Sequence, residues 1–183
     1  EVNKMPNHVK TVIKFKNLKK RDIEFIANTI ARPLTPKDKM YLKGTDSYHI
    51  DFNKIIPQPR CEEDCPEQYI DPSVSHAMEL EDRPWFNWYK WNCANWGVKW
   101  NAYDGYSTHT ASSITFVFNT AWSLADPIVN KLTGLGYDFE VRFADECLGS
   151  NCGKITFNAS TGEQKLLMEE EVAKDPRAWA SRI

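Results

Sequence analysis

The sequence predicts an α+β fold in which two amphipathic helices pack on one face of an antiparallel sheet. Several short segments alternate apolar and polar side chains with a period of two, which is typical of half-buried strands. Between them, apolar residues recur at the spacing of a helical stripe. A chain of 183 residues can bury a core without disulfides or metals, so we expect a single domain over residues 1–183.

The predicted elements follow one another in a recognisable order. Strands are predicted over residues 8–16, 47–56, 112–119, 137–144 and 153–158, and helices over residues 19–31 and from 126 to 134 or 136. Residues 57–110 interrupt the pattern, since a proline-rich, acidic stretch is followed by an aromatic segment whose first half can be helical, and we interpret them as an insertion. The order of the other elements is the βαββαβ pattern of a ferredoxin-like sandwich. The segment from residue 164 to 173 is compatible with a strand or a helix.

The predicted strands also indicate which side chains face the core. In the third strand, Phe116 and Phe118 share a face with Ile114, so we expect both phenylalanines to be buried. In the first strand, Lys10 and Lys14 lie on the face opposite to the buried one, and Lys16 continues the same alternation.

Composition and net charge exclude few classes of function. Aromatic residues make up 13% of the chain and include seven tryptophans, which indicates a large aromatic core or an aromatic binding surface. The net charge is −2, whereas a nucleic-acid-binding domain is usually basic overall. Residues 1–43 carry a net +7 and the remainder −9. These regions either meet, within the fold or across an oligomer, or form two solvated faces.

No apolar run is long enough for a membrane helix, and the first 20 residues lack the apolar core of a signal peptide. We therefore expect a cytoplasmic protein with reduced thiols and no membrane partner. The sequence contains no phosphate-binding loop, dinucleotide-binding glycine pattern or nucleophilic serine motif. We accordingly expect no cofactor.

Five short motifs support a family resemblance. They are Met5-Pro6-Asn7-His8, the segment 51–59 (DFNKIIPQP), the segment 95–104 (NWGVKWNAYD), Thr120-Ala121-Trp122-Ser123, and Ala144-Asp145-Glu146. In these motifs the chain resembles the YubB-like family of phage and conjugative-plasmid proteins. It departs from the family at Leu124-Ala125, where relatives often have two prolines. The resemblance implies a ferredoxin-like domain and a mobile-element setting, but no established activity and hence no catalytic residue.

The residues that we consider candidates for binding lie in or after these motifs. They are Trp96, Lys99, Trp100, Asn101, Asp104, Trp122, Asp145 and Glu146. Two interpretations of the tryptophan-rich segment remain open. It is either a structural corner whose rings cap the core, or a recognition surface with indole faces and polar groups, since Trp is enriched at interaction hot spots.

Two metal sites are conceivable from the sequence. Cys61, Cys65, Cys147 and Cys152 could supply four thiolates to zinc, but the spacing is loose and the acids between the first pair disfavour thiolates. Asp104, Asp145 and Glu146 could bind a divalent cation, although neighbouring residues of a strand point to opposite faces. We expect the cysteines to be reduced and the acids to be solvated.

Three functions are compatible with these observations. The first is a non-enzymatic accessory protein that binds a host protein through aromatic and acidic surfaces. The second is binding of RNA or single-stranded DNA through the basic first strand and the sheet face. Base stacking requires aromatic side chains on that face, and the predicted strands offer none. The third is a metal-dependent enzyme that uses Asp104, Asp145 and Glu146.

Overall fold

The computed structural model describes residues 7–36, 38, 48–60, 64, 66–69, 87–146 and 151–168, the last three by their backbone only. Its strands are β1 (His8–Phe15), β2 (Ala31–Pro33), β3 (Tyr48–Ile50), β4 (Tyr103–His109), β5 (Ile114–Ala121), β6 (Phe139–Asp145), β7 (Gly153–Asn158) and β8 (Glu163–Met168). Its helices are α1 (Lys20–Ile30), α2 (Phe52–Ile55), α3 (Trp88–Asn95) and α4 (Asp126–Leu132), with 3₁₀ turns at Glu67–Tyr69 and Thr133–Leu135.

Six strands form one antiparallel sheet in the order β4-β5-β1-β6-β7-β8. Its first four strands, with α1 after β1 and α4 between β5 and β6, form the ferredoxin-like βαββαβ unit. The β7–β8 hairpin extends the sheet beyond β6. The predicted α+β ferredoxin-like fold is therefore confirmed.

The core lies on one face of this sheet. The β1 side chains Val9, Thr11, Ile13 and Phe15 are fully buried, and the described helices contribute Ile26, Ile30, Trp91, Ile128 and Leu132 to the same apolar cluster. Phe116 and Phe118 of β5 are buried there as well. The prediction of a period-two apolar face was thus confirmed for β1, β5 and β6.

The second predicted strand, over residues 47–56, was wrong in its extent and in its place. β3 covers only Tyr48–Ile50 and pairs with β2 in a separate two-stranded sheet. The chain then turns into α2, because the Asp51 side chain caps this helix by accepting the Asn53 N–H at 3.0 Å. The second strand of the ferredoxin-like unit is β4.

The predicted insertion over residues 57–110 is too long at its C-terminal end. Tyr103–His109 form β4, which pairs with β5 along the edge of the main sheet. His109 is the last residue of this strand. Residues 163–168 form β8, so the part of the C-terminal segment that the structure describes is a strand.

No helix among the described residues is long and apolar enough to cross a membrane.

Candidate functional site

An exposed cluster of aromatic side chains lies where β5 ends and β1 begins. We call Trp88, Tyr89, Lys99, Trp100 and Trp122 the aromatic surface. Trp88 and Tyr89 meet edge to face at 6.0 Å between ring centroids, and Tyr89 meets Trp122 in the same way at 6.1 Å. The three rings are 47%, 45% and 40% exposed, in the same order as named.

Lys99 connects two of the tryptophans of this surface. Its Nζ lies 4.7 Å from the ring centroid of Trp100 and 5.5 Å from that of Trp122, within the range of cation–π attraction. The structure therefore brings together three residues that the sequence singled out, and it adds Trp88 and Tyr89, which the candidate set omitted. Their place in the aromatic segment was the only sequence signal for them.

Local structure explains how these rings are held at the surface. α3 presents Trp88 and Tyr89, and its first turn is capped by the Asn87 side chain, which accepts the Lys90 N–H at 2.9 Å. Trp122 has a φ of 74°, in the left-handed region that bulky residues rarely adopt. Its N–H donates to the Asn7 carbonyl at 2.9 Å, and its own carbonyl accepts the Asn151 side-chain N–H at 2.7 Å. The backbone on both sides of this indole is thus fixed.

Two of the predicted binding residues make contacts within the fold. Trp96 is 1% exposed and packs against Phe52 and Trp91, and its indole N–H donates to the Ile56 carbonyl at 2.9 Å. Asn101 accepts the Phe52 N–H at 2.9 Å and donates to Asp51 at 2.8 Å, which ties the aromatic segment to α2. These contacts are of the kind that the corner interpretation predicts.

The three predicted acids do not form one site. Asp104 lies at a bulge in β4 with a φ of 49°, whereas Asp145 ends β6, three strands away and hence about 14 Å across the sheet. Asp145 is buried and accepts the Asn151 side-chain N–H at 3.2 Å, so the expectation that it is solvated was wrong. Glu146 is exposed and accepts the backbone N–H of His8 at 2.9 Å.

No group of three or more acids, histidines or cysteines in the described ranges is arranged to hold a metal ion. Of the four cysteines proposed for zinc, Cys61, Cys65 and Cys147 lie outside the described residues, and Cys152 is buried just before β7.

The face of the main sheet opposite the core is rich in cations. Strand register places Lys10 and Lys14 of β1, Arg142 of β6, Lys154 of β7 and Lys165 of β8 on this face, with Lys16 directly after β1. We call these six residues and the uncharged side chains between them the basic face. The core to which the described helices contribute lies on the other side of the sheet, and Lys10, Lys14 and Lys165 are exposed.

A buried carboxylate organises the centre of the basic face. The Glu140 side chain accepts hydrogen bonds from Lys16 Nζ at 2.7 Å and Arg142 Nε at 2.7 Å, and Lys154 Nζ lies 3.1 Å away. Burial alone would raise the pKa of Glu140, but the bonds from Lys16 and Lys154 outweigh it and lower the pKa to about 2. The carboxylate is therefore ionised and holds three cations in place.

The pairing of β4 with β5 places two tyrosines on the basic face. Tyr106 pairs with Val117 and, through it, lies in the same row as Val12, while Tyr103 pairs with Asn119 beside Lys10. Both tyrosines are half-buried. Tyr103 hydrogen-bonds to the His8 ring and meets the ring of Trp100 at 6.3 Å. Burial, followed by the charges of Asp104 and Glu146, raises the pKa of Tyr103 to about 12, so its hydroxyl stays protonated.

Comparison with known proteins supports the fold. Residues 95–179 match the family model described as the ferredoxin-like domain in Api92-like protein. This match begins at the end of α3, includes β4 to β8, and covers somewhat less than half of the chain. It shows similarity to that domain and supports a ferredoxin-like family. No curated protein and no solved structure matches the chain.

Proposed function

We propose that this chain is a non-enzymatic binding module of a phage or a conjugative plasmid and that it binds a host protein through the aromatic surface. The proposal depends on one observation. Tyr89 contacts both Trp88 and Trp122, and yet the three side chains remain between 40% and 47% exposed. Single exposed apolar residues are ordinary, but a contiguous exposed patch is typical of an interaction site.

The residue types and the backbone support the same function. Trp and Tyr are the side chains most enriched among residues that dominate the energy of protein interfaces. The φ of 74° at Trp122 costs energy that a loop residue of another type would avoid. Such a cost is accepted at sites where the position of a side chain matters. The mobile-element setting has its support in the motifs from Met5 to Glu146.

The experiment is affinity capture from nuclease-treated host lysate, with the wild-type chain and a Trp88→Ala/Trp122→Ala variant as baits. Phe25→Ala is the matched control, because Phe25 is 51% exposed on α1 and belongs to neither surface. We expect the wild type and Phe25→Ala to retain a common protein. The double variant should bind it at least about 30-fold more weakly, as expected for hot-spot residues.

Titration calorimetry with the purified partner then measures the loss of affinity, and circular dichroism checks that each variant is folded. A protein retained equally by the double variant would contradict the proposal, as would a signal that disappears with nuclease treatment.

A further inference from the structure

We propose that the basic face binds single-stranded nucleic acid, with its lysines and arginine on the phosphates and with Tyr103 and Tyr106 against the bases. This inference concerns a second surface, which adjoins the aromatic surface where Tyr103 meets Trp100, and it does not depend on the proposed host-protein site. It follows from the charge of the face, from the fixed position of its cations, and from the strand β4 that brings aromatic rings beside them.

The charge of this face indicates a polyanion. Six cations lie on it, and Glu140 is the carboxylate that contacts three of them. Asp104 and Glu146 lie near Tyr103 at one end of the face. Asp138 and Glu163 lie at one corner, where β6 and β8 begin. The chain as a whole is slightly acidic, so this concentration of cations is local. A basic surface on one side of a domain is the electrostatic footprint of a nucleic-acid-binding protein.

The cations at the centre are held in position before any ligand binds. Glu140 bonds Lys16 and Arg142 and contacts Lys154, as described above, while the side chains of Lys16, Arg142 and Lys154 remain 41%, 35% and 22% exposed. Val12, Lys14, Lys16, Glu140 and Arg142 line a shallow pocket of about 210 Å³. Groups that are already ordered lose less conformational entropy on binding.

The tyrosines favour a single strand over a duplex. In a duplex the base faces are stacked on one another and only the phosphates would reach the cations. Tyr106 and Tyr103 both belong to β4 and lie on the same face as Lys10 and Lys14, two strands away from β1 in the sheet order. An unstacked base can pack on an aromatic ring while its phosphate contacts a neighbouring lysine. The five spacings between the six strands are roughly 4.8 Å each, so the sheet spans about 24 Å from first to last strand. This width is comparable to the smaller single-strand sites, which take about 4 nucleotides.

The experiment measures fluorescence anisotropy of a labelled oligothymidylate of about 16 nucleotides over salt concentrations of about 50 to 200 mM. We expect log affinity to fall with log salt with a slope of about −3, since each phosphate contact on a single strand contributes about −0.7. The Lys10→Gln/Lys14→Gln variant should bind at least about tenfold more weakly and lose about 1.4 of that slope. Its matched control is Lys20→Gln/Arg21→Gln, which removes two exposed cations from α1 on the other side of the sheet.

A second variant tests the bases separately from the phosphates. Tyr106→Leu should weaken oligothymidylate binding by about fivefold or more and leave the affinity for an abasic strand of equal length unchanged. The inference is overturned if the wild type does not bind at about 50 mM salt, or if the Lys10/Lys14 variant binds like the wild type. It is equally overturned if an abasic strand or a duplex binds as tightly as the oligothymidylate. Loss of Trp88 and Trp122, the change used for the host-protein site, should leave this binding unaffected.

Discussion

The backbone of Trp122 stores strain that a simple pair of variants can reveal. At a φ of 74°, a residue with a Cβ pays about 1–2 kcal/mol, whereas glycine pays nothing but loses about 0.4–1 kcal/mol through its freedom in the unfolded chain. The first effect is larger, so we expect Trp122→Gly to be more stable than Trp122→Ala by about 0.5–1 kcal/mol. Urea denaturation of the two variants measures this difference, and a more stable alanine variant would contradict the strain.

Thr11 offers a prediction about the buried sheet face. Its side chain is fully buried, and its hydroxyl is the one buried side-chain polar atom without a hydrogen-bond partner in the part of the chain that the structure describes. Because an unsatisfied buried hydroxyl costs about 1–3 kcal/mol, we expect Thr11→Val to raise the free energy of unfolding by at least about 1 kcal/mol.

The matched control for this prediction is Thr120→Val. Thr120 is also fully buried, but its hydroxyl donates to the Ser123 carbonyl at 2.7 Å. This variant should lose about 1 kcal/mol or more. Thermal or urea unfolding compares the stabilities of the two variants. A loss of stability in both would show that the Thr11 hydroxyl has a hydrogen-bond partner in the folded protein.

At the level of elements, β4 shows why the sequence was only partly sufficient. The segment Tyr103–His109 contains Asp104, Gly105 and Ser107, and it has neither an alternating apolar pattern nor a high strand propensity. It becomes a strand because its backbone completes the edge of β5. It also accommodates β3, whose Tyr48 N–H donates to the Ser107 hydroxyl at 2.9 Å. Because contacts with other strands define β4, its own sequence shows no periodicity from which the strand could be predicted.

The elements with apolar periodicity were predicted correctly for the converse reason. In β1, β5 and α1 the spacing of Ile, Val and Phe itself encodes which face is buried, and burial decides the structure. The candidate site was predictable in part. Lys99, Trp100 and Trp122 belong together, but composition could not distinguish the exposed Trp88 from the buried Trp96 of the same segment.

The contact between β3 and β4 can be tested at Gly105. A Cβ at this position would lie 3.0 Å from His49 Nε2 and 3.0 Å from the Cβ of Phe118. The buried His49 ring has little room to move, so we expect Gly105→Ala to destabilise the protein by about 1–3 kcal/mol, as overpacking does. Gly134→Ala is the matched control because a Cβ there has no neighbour within 4 Å. Equal unfolding midpoints for the two variants would contradict this packing.

On the scale of the whole molecule, folding brings together only some of the opposite charges of residues 1–43 and of the remainder of the chain. The N-terminal cations Lys10, Lys14 and Lys16 join Arg142, Lys154 and Lys165 on one face, rather than being neutralised by the acidic remainder of the chain. Within the described residues of this face, Glu140 is the acid that meets them directly. The sign of the net charge therefore does not describe the local charge of this face.

The same carboxylate should contribute to the acid stability of the fold, together with Asp38 and Asp138, whose pKa values are lowered by hydrogen bonds from Arg32 and from the Ala159 N–H respectively. The pKa of Glu140 falls from 4.5 to about 2 on folding, so the stability that its ionised form contributes is complete above pH 4.5 and is lost as the pH falls towards 2. Protonation of the buried His49, whose pKa is lowered by desolvation, removes stability as the pH falls below 6.5. Asp126 acts in the opposite sense because burial raises its pKa.

We therefore expect Glu140→Gln to be less stable than the wild type at neutral pH by about 1–3 kcal/mol, a range that allows for the partial exposure of its partners. The difference in the free energy of unfolding between the two proteins should shrink as the pH falls from about 4.5 to 2, since the wild-type carboxylate is then neutral as well. The decline below pH 6.5 should persist in the variant, because His49 is unchanged. Urea unfolding midpoints from neutral pH downwards measure both effects. A difference in stability between the two proteins that stays constant across the acidic range would contradict this prediction. It would mean that the contacts with Lys16, Arg142 and Lys154 do not keep Glu140 ionised.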